Sequence, residues 1–423
     1  VQPPDGNHLE ESGGDGGMMW EKVKLGDIAS FSNGINFNKT AYEKGVKLIG
    51  VSNFGDRFYP DYLQLQEVKK DIVRPEDCLR NGDIVFVRSN GNKELVGRCM
   101  LVKNPTERVT YSGFCIRARL NDTDRYDPVY FTYYFKSKAF RRAVSGTAVG
   151  ANIQNLSQAR LSNHDCNVPD IETQHRIADI LSAYDDLIEN NQKQIKLLEE
   201  AAQRFYKEWF VDLRFPGHEN TKIVDGVPEG WRVASIADIC DTVGGGTPST
   251  KIQSYYEKGD ILWVTPTDIT RNFSLALLDT EKKITPEGLK NSSAKMLPAE
   301  TILMTSRASV GFFGMCKYEV CTNQGFISCI PKRENLQMYL LFNLKSRVEE
   351  IRQKAGGSTY LEISKTVFRE LKIILPKDEV LAEYQKNVHD IFDEIYCRTE
   401  MIKSLVDMRN RLLPKLMSGE VEV

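Results

Sequence analysis

Hydrophobic residues recur at helical spacing along the stretch from Glu172 to Phe210, in alternating steps of four and three residues. This spacing places a narrow seam along one side of a helix, and a partner helix has to bury such a seam. An ordinary long core helix is the alternative. The first seam consists of Ile177, Leu181, Tyr184, Ile188, Asn191, Ile195, Leu198, Ala202, Phe205 and Trp209.

A second stretch near the C-terminus repeats this rhythm at an offset of 207 residues. Asn191 and Arg398 then occupy the same seam position, where a polar residue fixes register and pairing at some cost in stability. Antiparallel pairing of the two helices would bring these two residues together. The second seam consists of Tyr384, Val388, Ile391, Ile395, Arg398, Ile402, Leu405, Arg409, Leu412 and Leu416.

The ends of both helices also have sequence signals. Pro169-Asp170 and Pro376-Lys377-Asp378 precede the two periodic stretches, and aspartate is a favoured N-cap residue. Pro414 should end or bend the second helix near Leu413, because proline lacks the backbone N–H that a helix needs.

The sequence before each long helix is duplicated. WEKVKLGDIASFSNG begins at Trp20, and WRVASIADICDTVGGG begins at Trp231. Short β-branched and aromatic runs follow in both copies, and Gly, Pro and Asn separate them, which predicts a twisted antiparallel or mixed sheet. Each copy ends with an amphipathic helical stretch, and Asp127-Pro128 suits the start of the first one.

Composition describes a soluble globular protein with 41% hydrophobic and 27% charged residues and a formal charge of −2. The nine cysteines are scattered without Cys-x-x-Cys spacing, so reduced thiols and a cytoplasmic location are expected rather than disulfides or a zinc site. No membrane segment or metal site is expected. The sequence lacks a Walker phosphate loop, a G-x-S-x-G elbow and an H-E-x-x-H pair, so we do not expect an enzyme of these classes.

Polar and basic residues concentrate in the predicted loops of both copies. Arg, Lys, Asn, Ser and Thr side chains are those that hydrogen-bond base edges and phosphates. A solvated loop is the alternative for any single one of them. The DNA-binding candidates are Asn53, Arg57, Arg88, Asn90, Asn92, Lys93, Arg98, Thr147 and Asn152 in the first copy, and Thr247, Ser249, Lys251, Thr265, Thr267, Asp268, Arg307, Ser309 and Asn323 in the second.

Several segments resemble the specificity (S) subunits of type I restriction–modification systems. The segments FYKEWFVDLRFPG (Phe205–Gly217) and VPEGWRVASIADI (Val227–Ile239) are similar to the central region and second recognition domain of that family. LLPKLMSGEV (Leu412–Val421) is similar to its C-terminal end. The resemblance extends from Trp20 to the C-terminus.

The resemblance implies an α+β fold with two tandem β-rich target recognition domains and two long helices in an intramolecular antiparallel coiled coil. Each domain would read one half of a bipartite, asymmetric site in double-stranded DNA, and the helices would set the spacer. The expected segments are a disordered tail (1–18), recognition domain 1 (19–168), the central helix (169–212), a linker (213–230), recognition domain 2 (231–376), the distal helix (377–417) and a C-terminal tail (418–423).

The resemblance also implies that partner subunits carry out the chemistry. Two methyltransferase (M) subunits would bring S-adenosylmethionine and methylate adenine, and restriction (R) subunits would bring ATP with Mg for translocation and cleavage. The chain itself would then be non-catalytic and hold no cofactor. A protein–protein scaffold with two β-rich binding units on a coiled-coil spacer is the alternative function, although it leaves the polar loops unexplained.

Overall fold

The computed structural model describes residues 20–55, 57–90, 95–145, 155–357 and 360–423. The predicted tail, residues 1–18, lies outside the described residues. The chain divides into two compact units, the first Val1–Asp186 with Val406–Val423 and the second Leu187–Leu405. Each long helix therefore gives one stretch to each unit. The segment bounds expected from the sequence instead give each long helix a segment of its own, and these bounds stay a prediction.

The first unit is built on two small sheets. Four antiparallel strands lie in the order β2-β8-β5-β6, a mixed sheet has the order β4-β3-β7, and β1 pairs with β9. Its strands are β1 (Glu21–Lys24), β2 (Ala29–Asn33), β3 (Tyr42–Ile49), β4 (Gln66–Val68), β5 (Ile84–Val87), β6 (Cys99–Leu101), β7 (Val109–Tyr111), β8 (Cys115–Leu120) and β9 (Asp165–Val168). Its helices are α1 (Leu25–Ile28), α2 (Pro128–Lys136), α3 (Lys138–Ser145), α4 (Gln158–Ser162) and the first stretch of α5 (Ile171–Tyr206).

The second unit repeats this topology strand for strand. A hairpin of β10 (Ile223–Val224) and β11 (Val227–Pro228) precedes it. The sheets then have the orders β13-β19-β16-β17 and β15-β14-β18, and β12 pairs with β20. The strands are β12 (Arg232–Ser235), β13 (Cys240–Val243), β14 (Ile261–Val264), β15 (Lys283–Ile284), β16 (Ile302–Thr305), β17 (Phe313–Gly314), β18 (Cys321–Thr322), β19 (Phe326–Pro331) and β20 (Lys372–Leu375).

The helices of the second unit follow the same order. A π-helical turn, Lys207–Val211, extends α5 at its C-terminal end. The helices are α6 (Ile236–Ile239), α7 (Pro266–Thr270), α8 (Pro286–Lys290), α9 (Gln337–Ser346), α10 (Val348–Gln353), α11 (Lys365–Arg369) and α12 (Asp378–Ser418), of which α12 ends in the first unit. The duplication, the α+β class and the mixed sheets predicted from the sequence are confirmed.

The predicted late helix of each copy is two helices in the structure. The Asp127 side chain caps α2 by accepting a hydrogen bond from the backbone N–H of Val129 at 2.8 Å, as its sequence predicted. The prediction that the second late helix is amphipathic is wrong for α9, because every residue from Gln337 to Leu344 is buried. A helix that is apolar on most sides is typical of a core position.

The long helices run antiparallel in the first unit. Leu181 of α5 and Leu416 of α12 are both almost fully buried in the same hydrophobic cluster. Asp185 lies nearby, and its carboxylate accepts hydrogen bonds from Arg409 of α12 and from Tyr133 of α2, the latter at 2.5 Å. Burial, followed by the Asp185 charge, raises the pKa of Tyr133 well above its ordinary value. The hydroxyl therefore stays protonated and is the donor in its hydrogen bond with Asp185.

The same antiparallel pairing continues within the second unit. Arg398 Nη1 donates a hydrogen bond to Asn191 Oδ1 at 3.2 Å, which confirms that the two polar seam residues meet. Arg398 also pairs with Glu394 at 2.6 Å, one turn earlier on its own helix. Further along, the rings of Phe205 and Tyr384 stack with centroids 5.9 Å apart. Every residue of both seams is buried or half-buried.

The two long helices begin at Ile171 and Asp378, an offset of 207 residues, as the sequence predicted. The strands before them, β9 and β20, keep this offset, and Asn191 and Arg398 are therefore equivalent positions. The first strands of the two units instead correspond at 211 residues, the offset of Trp20 and Trp231.

A buried glutamine joins each long helix to the start of the late helix in the same unit. Gln174 accepts a hydrogen bond from the backbone N–H of Asp127 at 2.9 Å, and Gln385 accepts one from Met338 at 2.9 Å.

The bounds of α12 differ from those expected at both ends. Asp378 is the first helical residue rather than the cap, and it pairs with Arg333 at 2.6 Å. Of the two outcomes expected at Pro414, an end and a bend, the end near Leu413 is wrong, because the helix continues through Pro414 to Ser418. Burial of Leu416 in the core of the first unit stabilises this last turn and offsets the backbone hydrogen bond that proline cannot make.

We predict that Leu181→Ala lowers the free energy of unfolding by about 2–5 kcal/mol, because it leaves a cavity in the core at the helix pair. Leu187→Ala on the same helix is the matched control, since that side chain is 50% exposed. We expect it to change the free energy by less than about 0.5 kcal/mol. Urea unfolding of the full chain, followed by circular dichroism, measures both. Equal effects of the two substitutions would contradict the buried position of Leu181.

Candidate nucleic-acid interface

Loops from both sheets meet at one side of the second unit. The backbone N–H of Gly246 donates to Thr322 O at 2.9 Å, and that of Asn323 donates to Val264 O at 3.0 Å. Ser306 N donates to Gly325 O at 2.8 Å and links the loop after β16 to the start of β19. We call the resulting surface the second loop edge, formed by residues 244–251, 265–268, 306–309, 322–325 and 360–363.

The first unit forms an equivalent surface through equivalent bonds. Ile35 N donates to Tyr111 O at 2.9 Å, Ser112 N donates to Ile49 O at 2.9 Å, and Arg88 N donates to Phe114 O at 2.8 Å. Each bond joins the same pair of strands or loops as its counterpart in the second unit. We call this surface the first loop edge, formed by residues 34–39, 50–53, 88–90, 112–114 and 155–156.

One glycine closes each loop edge. A Cβ atom on Gly34 would lie 2.2 Å from Tyr111 O, and one on Gly245 would lie 2.1 Å from Thr322 O. Both distances are far below van der Waals contact, so only glycine lets the loop after the second strand lie against the neighbouring turn. Gly34 and Gly245 lie 211 residues apart, like Trp20 and Trp231, so both units close this loop in the same way.

Some candidate DNA-binding residues bond within their own loops. Asn53 Oδ1 accepts from Gly50 N at 2.8 Å, and Asn323 Oδ1 accepts from Gly325 N at 2.8 Å. Asp268 Oδ2 accepts from the backbone N–H of Thr265 at 2.7 Å and from its hydroxyl at 2.6 Å, which forms a capping box at the start of α7. These bonds fix the loop backbones. The DNA-binding role of the four residues stays a prediction.

Other candidates present exposed side chains at the second loop edge. Arg307 extends from the loop after β16, where its guanidinium lies 6.0 Å from the centre of the Tyr360 ring. Its Nε is 3.7 Å from the Glu362 carboxylate, a long and exposed ion pair that contributes little stability. Arg307 is thus held near the surface by weak contacts. The other exposed candidates are Thr247, Ser249, Lys251, Thr267 and Ser309.

The candidates of the first unit are distributed more widely. Arg88 is half-buried, and its Nη1 donates to Gly113 O at 3.2 Å, within the first loop edge. Arg57 instead pairs with Asp61 at 2.8 Å, and this hydrogen bond holds the pKa of Asp61 below its ordinary value. Asn90 and Arg98 are half-buried. Four further candidates lie outside the described residues, namely Asn92, Lys93, Thr147 and Asn152.

Sequence reasoning missed the loop after β2 in the first unit. Asn36, Asn38 and Lys39 are exposed there. At an offset of 211 residues they correspond to Thr247, Ser249 and Thr250, which lie in the loop after β13. Applying the spacing of the two tryptophans to this loop would have identified them, because no insertion separates the loop from Trp20 or Trp231.

The described residues offer hydrogen-bonding and cationic groups at both loop edges. Asparagine, serine and threonine can bond base edges or phosphates, and lysine and arginine add positive charge. Among the described residues, no three or more His, Cys, Asp or Glu side chains are placed to hold a metal ion. None of the helices in the described ranges combines the length and apolar character that crossing a bilayer requires.

Comparison with known proteins gives consistent matches. The family model described as type I restriction modification DNA specificity domain matches residues 18–200 and 228–406. The HindI type I restriction enzyme specificity subunit of Haemophilus influenzae is 26% identical over 479 aligned positions, which cover 95% of this chain and 99% of the relative. The MjaIX specificity subunit of Methanocaldococcus jannaschii is 38% identical over 173 residues, which cover 40% of this chain and 39% of the relative.

A solved structure shares the fold. The crystal structure of the S subunit of a type I restriction–modification system from M. genitalium superposes with a TM-score of 0.56. The alignment covers 96% of this chain and 98% of that chain at 16% sequence identity. At this identity the likeness establishes the fold alone.

We predict that Gly34→Ala destabilises the first unit by about 1–3 kcal/mol, because the added Cβ would overlap the Tyr111 carbonyl oxygen. Gly55→Ala is the matched control in the same unit, since no atom lies within 4 Å of its Cβ position. Thermal unfolding of the full chain measures both. An unchanged melting temperature for Gly34→Ala would contradict the tight closure of the first loop edge.

Proposed function

The chain belongs to the type I restriction modification DNA specificity domain family, and from this membership we propose how its two units read DNA. It is the DNA-recognition subunit of a type I restriction–modification complex, with two tandem specificity domains. The first loop edge contacts one half of a bipartite site in double-stranded DNA, and the second loop edge contacts the other half.

One observation carries this proposal: equivalent backbones present different side chains. Asn36 of the first edge corresponds to Thr247 of the second. Ser89 pairs its backbone with Asn155 in the way that Arg307 pairs with Glu362, so a serine stands where the other unit has an arginine. Different donors and acceptors on the same scaffold favour different bases. The two half-sites are therefore expected to differ, which makes the site asymmetric.

The partners of this chain supply the chemistry in this proposal. Two methyltransferase subunits bind the long helices and the recognition domains, bring S-adenosylmethionine and methylate adenine. Restriction subunits bring ATP with Mg for translocation and cleavage, so this chain is not catalytic and acts in the cytoplasm. Apolar side chains on the outside of the helices in the second unit support docking there, with Leu187 50% exposed, Leu197 59% and Met401 47%.

The long helices set the spacer between the half-sites. Their seam is buried along both stretches, and Arg398 bonded to Asn191 fixes one register. A scaffold with a fixed register has a fixed length, because the rise per residue of a helix does not vary. The number of residues in the pair is therefore part of what the chain recognises.

We predict that Arg307→Ala weakens specific DNA binding of the complex with methyltransferase subunits by about 1–3 kcal/mol, the range for an arginine that reads a guanine. Arg88→Ala should act similarly on the other half-site. The matched control is Arg232→Ala, which removes an exposed arginine on β12, outside the loop edges. Titration of labelled duplexes measures affinity, and adenine methylation mapping reports the site. Unchanged methylation rates and motif would remove the two arginines from the interface.

We predict that a matched insertion of seven residues into both helices lengthens the spacer. The insertions lie between Ile188 and Asn191 in α5 and between Arg398 and Ile402 in α12, and seven residues preserve the four-three rhythm. They add about 10 Å of helix, or roughly three base pairs of DNA. Mapping of methylated adenines reports the spacer directly.

The control for the matched insertion is an insertion into α5 alone. It shifts one seam against the other, so we expect a lower melting temperature rather than a new spacer length. A matched variant that folds and methylates the original motif with its original spacer would contradict the role of the helices.

A further inference from the structure

An aromatic side chain stands exposed at the first loop edge, where the fold does not require one. Phe114 is 63% exposed in the turn between β7 and β8. Leaving an aromatic ring in water forgoes the stabilisation that its burial would give. The hydrophobic effect within the chain therefore does not explain this residue.

The turn that carries Phe114 is held rigidly. The Phe114 carbonyl accepts hydrogen bonds from the backbone N–H groups of Arg88 at 2.8 Å and Ser89 at 3.3 Å. Gly113 N donates to Ile35 O at 2.7 Å, and Cys115 N donates to Ser112 O at 2.8 Å. A ring on such a turn presents apolar surface in a fixed place, so little conformational entropy is lost when it binds a partner.

Two polar side chains of the first loop edge contact the turn that carries this ring. The Arg88 guanidinium bonds Gly113 O at 3.2 Å, next to Phe114 in the chain. Asn36 packs on the same turn, because a Cβ atom on Gly113 would lie 2.0 Å from Asn36 Oδ1. The ring thus lies within the surface that the proposed function assigns to DNA, beside an arginine and an asparagine.

The second unit lacks an aromatic at the equivalent place. Ser306 N bonds Gly325 O as Arg88 N bonds Phe114 O, so Gly325 is the counterpart of Phe114. A Cβ atom on Gly325 would lie 2.8 Å from Pro266 Cγ, which leaves little room for a larger residue there. The second unit thus forms the same backbone bond without an aromatic ring. The aromatic ring in the first unit is therefore explained by what the first loop edge contacts rather than by the fold.

The chemistry of duplex DNA limits what an apolar ring can contact. Base faces are stacked inside the double helix, and the edges and backbone are polar. The thymine C5-methyl group in the major groove is the apolar group accessible on a base edge without deforming the duplex, and phenylalanine is one of the residues that contact it.

We propose that Phe114 is a specificity-determining residue that contacts the methyl group of one thymine in the half-site read by the first unit. This inference rests on the proposed function, because it needs the first loop edge to lie against the major groove. The DNA-binding candidates named above were selected because they can form hydrogen bonds, whereas Phe114 would recognise a base by apolar contact. The inference predicts an A·T pair at one position of that half-site.

Replacing thymine by deoxyuridine, which lacks only the methyl group, tests this contact. The complex with methyltransferase subunits is titrated with duplexes of its methylated motif, each with one thymine replaced. We expect one position, in one half-site, to weaken binding of the wild-type complex about three- to fivefold, the effect of burying a single methyl group. Phe114→Ala should bind thymine DNA more weakly and should no longer distinguish thymine from deoxyuridine at that position.

Two further variants test whether the deoxyuridine effect depends on the side chain at position 114. Leu63→Ala is the matched control, since this leucine is 93% exposed in the connection between β3 and β4, and it should keep the full deoxyuridine effect. Phe114→Leu keeps an apolar side chain and should keep part of it. An unchanged melting temperature establishes that Phe114→Ala is folded, as expected for an exposed residue.

Two outcomes would overturn the inference. One is a wild-type complex that binds its motif specifically but is insensitive to deoxyuridine at every thymine, or whose motif has no A·T pair in the half-site that the first unit reads. The other is a Phe114→Ala complex that retains the wild-type sensitivity at the responding position. Failure of the wild-type complex to prefer its motif over unrelated DNA would instead refute the proposed function, so the two failures are distinct.

Discussion

The rest of the structure depends on burial of one narrow apolar seam along each of two long helices. Neither helix can bury its own seam, and the partner stretch lies about two hundred residues away in the chain. Pairing the two therefore closes a very long loop, a cost that grows slowly with length and that many buried side chains offset. Leu181 with Leu416 in one unit and Phe205 with Tyr384 in the other are the contacts that achieve this.

Polar residues in the seams and beside them lower the stability of the helix pair but restrict how the helices can pair. Asp185 is shared by Arg409 and Tyr133, and Asn191 accepts from Arg398. A shift of one turn would separate these partners and leave charged groups buried without compensation, which is costly. In the proposed function the helices set the spacer, so a defined register has functional value, because an alternative register would change the spacer.

The duplication separates the residues that support the fold from the loop tips that the proposed function assigns to DNA. Gly34 and Gly245 close the same turn, and Gln174 and Gln385 bind the same helix to the long helix that follows. The tips of these loops differ, as Phe114 and Gly325 illustrate. Two copies of one scaffold can thus carry two sets of contacts, because equivalent backbone hydrogen bonds, such as those donated by Ile35 and Gly246, hold the loops in both units.

Local sequence rules were sufficient to identify the two long helices and the duplication. The four-three spacing determined the long helices, and Asp127 before Pro128 determined the start of α2, because both signals act over a single turn. The same rules did not show that α12 continues through Pro414, where burial of Leu416 decides the outcome, or that α9 is covered on all sides.

The sequence by itself therefore determined the elements, the tandem repeat and the residue types suited to DNA. The tertiary structure decided which of these residues share a surface. It placed Arg88 beside Phe114, assigned Asp268 and Thr265 to a capping box, and separated Arg57 into an ion pair with Asp61. Residue type sets which bonds a side chain can form, whereas the bonds it does form depend on neighbours that are distant in the chain.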